Sequence, residues 1–442
     1  MSRTRQDAPS VAVRALLLLA AGAFLFASCG RVETEAEPIE RRVVILGIDG
    51  LEWDIMGPLL ESGRLPNFAR LINEGAWGEL RSLKFLESPM IWTSIATGKT
   101  PGKHGVTGFT TKEGAPRAGA IITADYRTAR TLWDIVGERG WSVGVVGWLV
   151  TWPAEPVNGY LVTDRFGYGW DADARSAEGI TFPAELIDDI GGLRVRPEDL
   201  SEGDVARFVR GDVPTGGELS ERVRALRRII ATDATFLAVD RHLASQRPTD
   251  FYALYIKGVD GVSHLFWTDA FPESGPSPSN REIELFGEVI ARFYERADEV
   301  VGEFLDRVDD GTILIVTSDH GHSGPKERGD AYAWGIAMHD PTGFFALYGE
   351  DIAGGQELTR VSVLDIAPTI LALSGLPVAE DMDGRVLEEA IDPGFLERHP
   401  IASVATYEHE SPGGEPGDAD EAIESPLDEE ILEELRSLGY ID

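Results

Sequence analysis

The chain has 442 residues and sets 40 Lys and Arg against 75 Asp and Glu, a formal net charge of −35. That length holds one large α/β domain with insertions, or two domains, with a substantial core either way. The charge balance excludes sequence-independent binding to nucleic acid, which needs clustered cations to neutralise phosphates. The acidity reads as a solvated surface, concentrated only in the tail after residue 408.

The chain opens on a targeting pattern. Arg3, Arg5 and Arg14 precede an apolar run from Ala15 to Ala27 that is too short for a comfortable membrane span and fits a secretory signal. The run ends in Phe26-Ala27-Ser28-Cys29-Gly30, which resembles a bacterial lipoprotein signal whose cysteine becomes the lipid-modified first residue; Phe26 stands where that pattern usually has Leu. Residues 1–28 are thus expected to be a signal peptide, Cys29 the lipidation site, and 29–40 a polar tether. The expected location is the bacterial cell envelope, lipid-anchored and facing the periplasm. Cys29 is the chain's one cysteine, so no intrachain disulfide can form.

The folded part is expected from Arg41. A strand VVILGI precedes helices over 52–62 and 66–74, and Ser88-Pro89 starts a helix through Ala96 that Thr97-Gly98 ends. A helix over 128–139, a strand over 142–148 and a short strand over 159–163 continue a βαβ-type alternation. From about 172 to 247 the chain turns charged and Pro-punctuated, with a long helix over 219–244, and reads as a cap or insertion. The sheet pattern resumes at Phe251, passes through a helix over 281–307 and a strand over 312–317, and reaches strand GFFALYG (343–349) and a helix ending at Gly375-Leu376-Pro377. The expectation is a three-layer α/β/α sandwich with a central mixed, mostly parallel sheet, spanning 41–388. Residues 389–442 form an acidic tail, disordered over 408–425, whose final helix carries Ile431, Leu432, Leu435 and Leu438 on one face and docks back.

Three buried-strand patterns each run into an acidic residue: VVILGID at Asp49, FYALYIKGVD at Asp260, and TILIVTSDHG at Asp319. Ligands gather beyond the carboxyl ends of strands in open α/β sheets, so one rim receives all three. His264 follows Asp260 at a spacing of four, suited to one helical face or one loop, and His320 directly follows Asp319. His339 precedes GFFALYG; if it shares the rim, that strand must run against its neighbours. Mixed carboxylate and imidazole donors suit Zn²⁺ or Mn²⁺ better than Mg²⁺ or Ca²⁺, and six of them suit two ions rather than one. Two such ions can embrace a phosphoryl group. Ser88, at a helix N-terminus where N–H groups favour a phosphate, is the candidate nucleophile, although Ser-Pro is also an ordinary helix start.

These residues carry a resemblance. The run from Ser88 through Trp92, Thr97-Gly98, Pro101 and His104-Gly105 looks like the nucleophile motif of the type I phosphodiesterase/nucleotide pyrophosphatase family within the alkaline phosphatase superfamily. Gly47-Ile48-Asp49-Gly50, Asp260-x-x-x-His264, Asp319-His320-Gly321 and His339 match its ligand motifs in order, and the likeness extends from about 42 to 388. It implies that Asp260, His264 and His339 hold one metal ion, and Asp49, Ser88, Asp319 and His320 the other. It implies a Ser88 nucleophile, a phosphoserine intermediate, and a phosphate-ester small molecule as substrate. Near Phe109 nucleotide-cleaving members carry an Asn that donates to a phosphoryl oxygen; Gly108-Phe109-Thr110 has no amide, leaving Thr107 or Thr110. The sulfatase C/S-x-P-x-R pattern is absent from Ser88-Pro89-Met90-Ile91-Trp92. A phosphoethanolamine-type phosphotransferase and a non-catalytic metal-binding lipoprotein are the rival readings.

Other residues carry weaker signals. His104 reads as structural within a Gly-flanked turn, whereas His322 is balanced between supporting a ligand and plain exposure. Lys326 and Arg328 suit a solvated loop more than phosphate steering. Trp92, Trp148, Trp152, Phe266 and Trp267 could wall a leaving-group pocket, yet most aromatics are core.

Overall fold

In a computed structural model, residues 39–112, 117–169, 178–328, 331–408 and 425–441 are described. Cys29, the expected signal peptide, most of the tether and residues 409–424 and 442 of the acidic tail lie outside them.

The sheet is built around three strands whose apolar runs are buried on both faces. These are β1 (Arg42–Ile48), β6 (Phe251–Ile256) and β7 (Thr312–Thr317), with β1 parallel to both of the others. Flanking them are β2 (Ala76–Arg81), β3 (Val143–Val146), β4 (Gly159–Val162), β5 (Thr181–Phe182), β10 (Thr342–Gly349) and β11 (Gln356–Ser362). Two short strands outside the sheet, β8 (Gly321–His322) and β9 (His339–Asp340), pair with each other antiparallel. Among the described residues the sheet has nine strands in the order β11-β2-β10-β7-β1-β6-β3-β4-β5. Strand β10 runs antiparallel to β7 and β2, as the position of His339 required, so the sheet is mixed.

Alternation along the strands feeds two cores. Val44, Leu46, Tyr252, Leu254 and Val316 face one side, while Val43, Ile45, Phe251, Ala253 and Ile315 face the other. The first side is covered by α1 (Trp53–Glu61), α2 (Pro66–Glu74), α5 (Gly217–Gln246), α6 (Gly258–Ala270), α7 (Asn280–Phe286) and α8 (Val289–Leu305). The second is covered by α3 (Ser88–Thr97), α4 (Leu132–Glu138) and α9 (Ile366–Leu373). This is the three-layer α/β/α arrangement.

Local chemistry moves several expected boundaries. The helix expected over 281–307 breaks at Gly287 into α7, opened by a Ser279 capping box with Glu282, and α8. Helix α5 does more than top a cap: Val223, Leu226, Ile230, Leu237 and Leu243 join the core that β1 and β6 build. The final helix, α10 (Asp428–Ser437), buries Ile431 and Leu435 against the same core.

Two glycines let the rim close up. A Cβ on Gly47 would lie 2.7 Å from the Trp92 ring, which crosses β1 at that point. Gly50 has φ +77°, and a Cβ there would stand 2.9 Å from the Cα of Asp260.

Candidate metal centre

Level strand ends bring the ligand types together. Ile48 of β1 pairs with Ile256 of β6, and Gly47 with Thr317 of β7, so Asp49 and Asp319 leave the sheet at one height and α6 starts beside them. Asp260 and His264 lie on one face of α6, settling the helix-or-loop alternative left by their spacing. Ser88 is the first residue of α3. Asp49, Ser88, Asp260, His264, Asp319, His320 and His339 are all buried, none more than 6 % exposed.

The atoms fall into two adjoining groups. His320 Nε2 lies 3.2 Å from Ser88 Oγ and 3.4 Å from both Asp49 Oδ1 and Asp319 Oδ2. Asp260 Oδ1 lies 3.2 Å from His264 Nε2, 3.3 Å from His322 Nε2 and 3.5 Å from His339 Nε2. Asp260, His264, His322 and His339 can each offer a ligand atom within 4.8 Å of the others, and Asp49, Asp260 and His320 form a second such set. The ring tautomers are fixed from behind. His320 Nδ1 donates to Gly321 O at 3.0 Å and His339 Nδ1 to Leu86 O at 2.6 Å, leaving each Nε2 lone pair aimed inward. His264 Nε2 and His339 Nε2 meet at 3.0 Å, and His264 Nδ1 has no hydrogen-bond partner to fix its tautomer as the carbonyls fix those of His320 and His339.

Electrostatics points the same way. Burial first, and then the Asp260 carboxylate, push the Asp49 carboxyl up; burial and then Asp49 push Asp319 well above the usual carboxylate range. Burial also opposes ionisation of Asp260, but the imidazoles of His264, His322 and His339 prevail and hold its carboxyl well below that range. Burial lowers His322 to about 4, and burial with His320 drives His339 far down, so both rings are neutral and able to ligate. Asp49 Oδ1, Asp260 Oδ1 and both Asp319 carboxylate oxygens are buried without a hydrogen-bond donor. Crowded carboxylates, neutral imidazoles and orphaned oxygens fit divalent cations.

Other contributors carried only a weak signal in the sequence, as His322 and Trp92 did, or none, as Tyr255, Tyr440 and Glu52 did. His322 is buried at 2 % exposure among the Asp260 group, which overturns the exposed reading; the His-x-His alternation with His320 was its signal. Tyr255 donates to Asp49 Oδ2 at 2.5 Å, Trp92 Nε1 to the same oxygen at 3.3 Å, and Tyr440, from the C-terminal end, to Asp260 Oδ2. Glu52 accepts from His322 N at 2.9 Å, and burial raises its carboxyl to about 7.

The five aromatics weighed between pocket wall and core are core residues, and none of them lines the cavity beside Ser88. Trp92 and Trp148 pack edge to face at 5.0 Å in the core, Trp152 and Phe266 are core, and Trp267 stacks on His322 at 5.3 Å. The cavity beside Ser88, Asp49 and Asp260 is walled instead by Phe109, Leu149, Tyr168, Tyr255, Leu438 and Tyr440. Phe109 sets a ring where an amide was sought, and neither Thr107 nor Thr110 lines this cavity. His104 is structural: it accepts from Val106 N at 3.2 Å and lies 2.9 Å from Ser94 Oγ. Lys326 is exposed, and its Nζ donates to His339 O at 3.4 Å. The Arg328 side chain lies outside the described residues.

A model of the type I phosphodiesterase / nucleotide pyrophosphatase family matches residues 43–332. A 2,3-bisphosphoglycerate-independent phosphoglycerate mutase of Prochlorococcus marinus (strain MIT 9313) is 26 % identical over 238 residues, 48 % of this chain and 41 % of the mutase. Arylsulfatase K of Canis lupus familiaris is 24 % identical over 170 residues, 37 % of this chain and 28 % of the sulfatase. The chain thus spans less than half the length of these curated relatives. Among solved structures, inactive murine ectonucleotide pyrophosphatase/phosphodiesterase 5 in complex with AMP superposes with TM-score 0.43 at 13 % identity, covering 77 % of this chain and 96 % of that one.

Proposed function

The chain belongs to the type I phosphodiesterase/nucleotide pyrophosphatase family of the alkaline phosphatase superfamily, and from that premise we propose that it is a metal-dependent phosphoric ester hydrolase whose nucleophile is Ser88. The observation that carries the reading is the meeting of Ser88 Oγ with His320 and the two Asp/His groups at one buried rim. Asp260, His264 and His339 would hold one ion, with His322 offering a further nitrogen, and Asp49, Ser88, Asp319 and His320 the other. When bound, two divalent ions, Zn²⁺ first and Mn²⁺ or Mg²⁺ as alternatives, supply positive charge that eases ionisation of a hydroxyl and stabilises phosphoryl and leaving oxygens.

The rest is done by the chain. At the start of α3 the amide offered to a phosphoryl oxygen is Ser88 N–H, because Pro89 has no N–H and Met90 and Ile91 donate to Glu87 O at 3.0 and 3.2 Å. Ser88 Oγ, freed of its proton, attacks phosphorus opposite the leaving oxygen; the phosphorus–oxygen bond to the alcohol breaks and a phosphoserine forms. Water then attacks the phosphoserine, the bond from phosphorus to Ser88 Oγ breaks, one water proton goes to Oγ and the other to solvent, and phosphate leaves from a monoester or the remaining monoester from a diester. Tyr255 and Trp92 orient Asp49, while the Gly321 and Leu86 carbonyls orient His320 and His339.

The test is the Ser88→Ala protein beside the parent on aryl phosphate mono- and diesters and sulfate esters, each with Zn²⁺, Mn²⁺ or Mg²⁺ added. Loss of at least about a thousandfold in kcat/KM on phosphate esters is expected, and undiminished turnover would sink Ser88 as nucleophile. Preferred turnover of sulfate esters would favour the sulfatase-like alternative. We also propose lipid anchoring at Cys29 in the envelope. Among the described residues no helix is long and apolar enough to cross a membrane. Metabolic labelling with a fatty acid, lost in Cys29→Ser, tests it.

A further inference from the structure

The C-terminal segment fastens itself to the residues of the site. Tyr440 donates to Asp260, lies edge-on to His264 at 4.8 Å and stacks on Phe109 at 4.7 Å. Glu434 of α10 pairs with Lys257, the residue before α6, and Lys257 Nζ also lies 2.6 Å from Tyr168 OH. Leu435 and Leu438 face the same cavity as Ser88, Asp49 and Asp260. Upstream, Asp428 pairs with Arg165 at 2.6 Å and Glu430 accepts from Gly169 N at 2.9 Å.

Two physical consequences follow. The cavity left beside Ser88 is about 60 Å³, whereas pockets that enclose drug-sized ligands run to roughly 300–1,000 Å³. A bulky ester therefore cannot sit beside Ser88 with the segment in place. The charges agree: an arriving phosphate ester meets the Glu434 carboxylate, and the Lys257 cation that faces this cavity is already neutralised by it.

We propose that residues 425–441 are a built-in plug that determines which esters reach Ser88. Small phosphate esters use the residual space, and esters with bulky leaving groups must displace Tyr440, Leu438 and Glu434, which exposes Lys257 to the anion. The inference rests on the hydrolase reading for its substrate class, and on the packing of the C-terminal segment for the plug itself.

The experiment uses the full chain, loaded with Zn²⁺, as parent, Glu434→Lys and Leu438→Ser. Glu434→Lys sets two cations face to face; Leu438→Ser removes apolar contact; neither residue belongs to the catalytic set. Amide hydrogen exchange over 426–441 is read beside kcat/KM for phenyl phosphate and for a bis-aryl phosphate diester. Exchange in the segment should rise at least about tenfold in both variants, with the diester-to-monoester ratio rising by a similar factor. Faster exchange with an unchanged ratio overturns the plug, and so does unchanged exchange in both variants. If no protein hydrolyses either ester, the hydrolase reading fails separately. The plug is then judged by calorimetric binding of methylphosphonate against a bis-aryl phosphinate: a variant-induced gain confined to the bulky ligand sustains it, and equal changes overturn it.

Discussion

Removing divalent ions should destabilise the protein by an amount that grows with pH. The buried carboxylates of Asp49, Asp260 and Asp319 share one rim, and the native state alone arranges them for a cation. An ion that binds only the native state contributes about 4 kcal/mol when its free concentration is ~1,000 times Kd. Unfolding entropy of about 2 cal/mol/K per residue, over roughly 400 residues, converts this to a fall in Tm of about 5 °C per ion on chelation. The sign with pH follows from the metal-free fold. Burial and mutual repulsion raise Asp49 and Asp319, so their contribution to the metal-free fold is present below the ordinary carboxylate range and is lost as pH rises through the raised values. Ion binding expels those protons, so the loaded fold escapes that loss. Asp260 is held low and titrates below this window, and the neutral rings of His322 and His339 are common to both forms and cancel in the difference. The assay is differential scanning calorimetry from pH 5 to 8, with excess Zn²⁺ or chelator. The gap should widen towards pH 8, and Asp319→Asn should raise the metal-free Tm at pH 8 while shrinking the gap. A gap below about 1 °C at pH 8, or one larger at pH 5, would refute the argument.

Tyr255→Phe keeps the ring and removes the donor to Asp49; Zn²⁺ affinity by competitive titration should fall by about 10- to 100-fold with the fold intact. Gly50→Ala puts a Cβ at positive φ against the Asp260 backbone, and should cost about 1–2 kcal/mol in denaturant unfolding while lowering kcat/KM by more than that strain explains. Asp233, in α5, accepts from Lys257 N at 3.2 Å and Gly258 N at 3.1 Å at the start of α6, and burial raises its carboxyl to about 6. Its contribution is full below pH ~4 and is lost as pH rises to about 6, on the order of 3 kcal/mol, so Asp233→Asn should flatten stability across that window. Leu254→Ala empties a fully buried site in the central strand and should cost about 2–5 kcal/mol by urea unfolding.

What could be read from the sequence follows from where each residue's partners lie. Asp49, Asp260 and Asp319 were visible because β1, β6 and β7 are buried on both faces and read as unbroken apolar runs, so each strand end announced itself. Edge strands gave no such signal. In β11, Gln356, Glu357, Thr359 and Arg360 meet solvent, and a bulge between Leu358 and Val361 breaks the alternation on which a strand would be recognised. Strand β2 was hidden by Gly78, where a Cβ would lie 2.6 Å from Leu358 O, and by its partner β10 lying far along the chain. The long helix within 172–247 was legible as a helix, but its place in the layer that covers the sheet depends on which neighbours its apolar face meets. Tyr440 marks the limit most sharply. The apolar stripe of α10 announced that the terminus docks, yet a stripe specifies an apolar surface and not its location. Where it docks is decided by the Glu434–Lys257 and Asp428–Arg165 pairs, single charges in a chain rich in them, and so the contact between the last residues and Asp260 exists only in three dimensions.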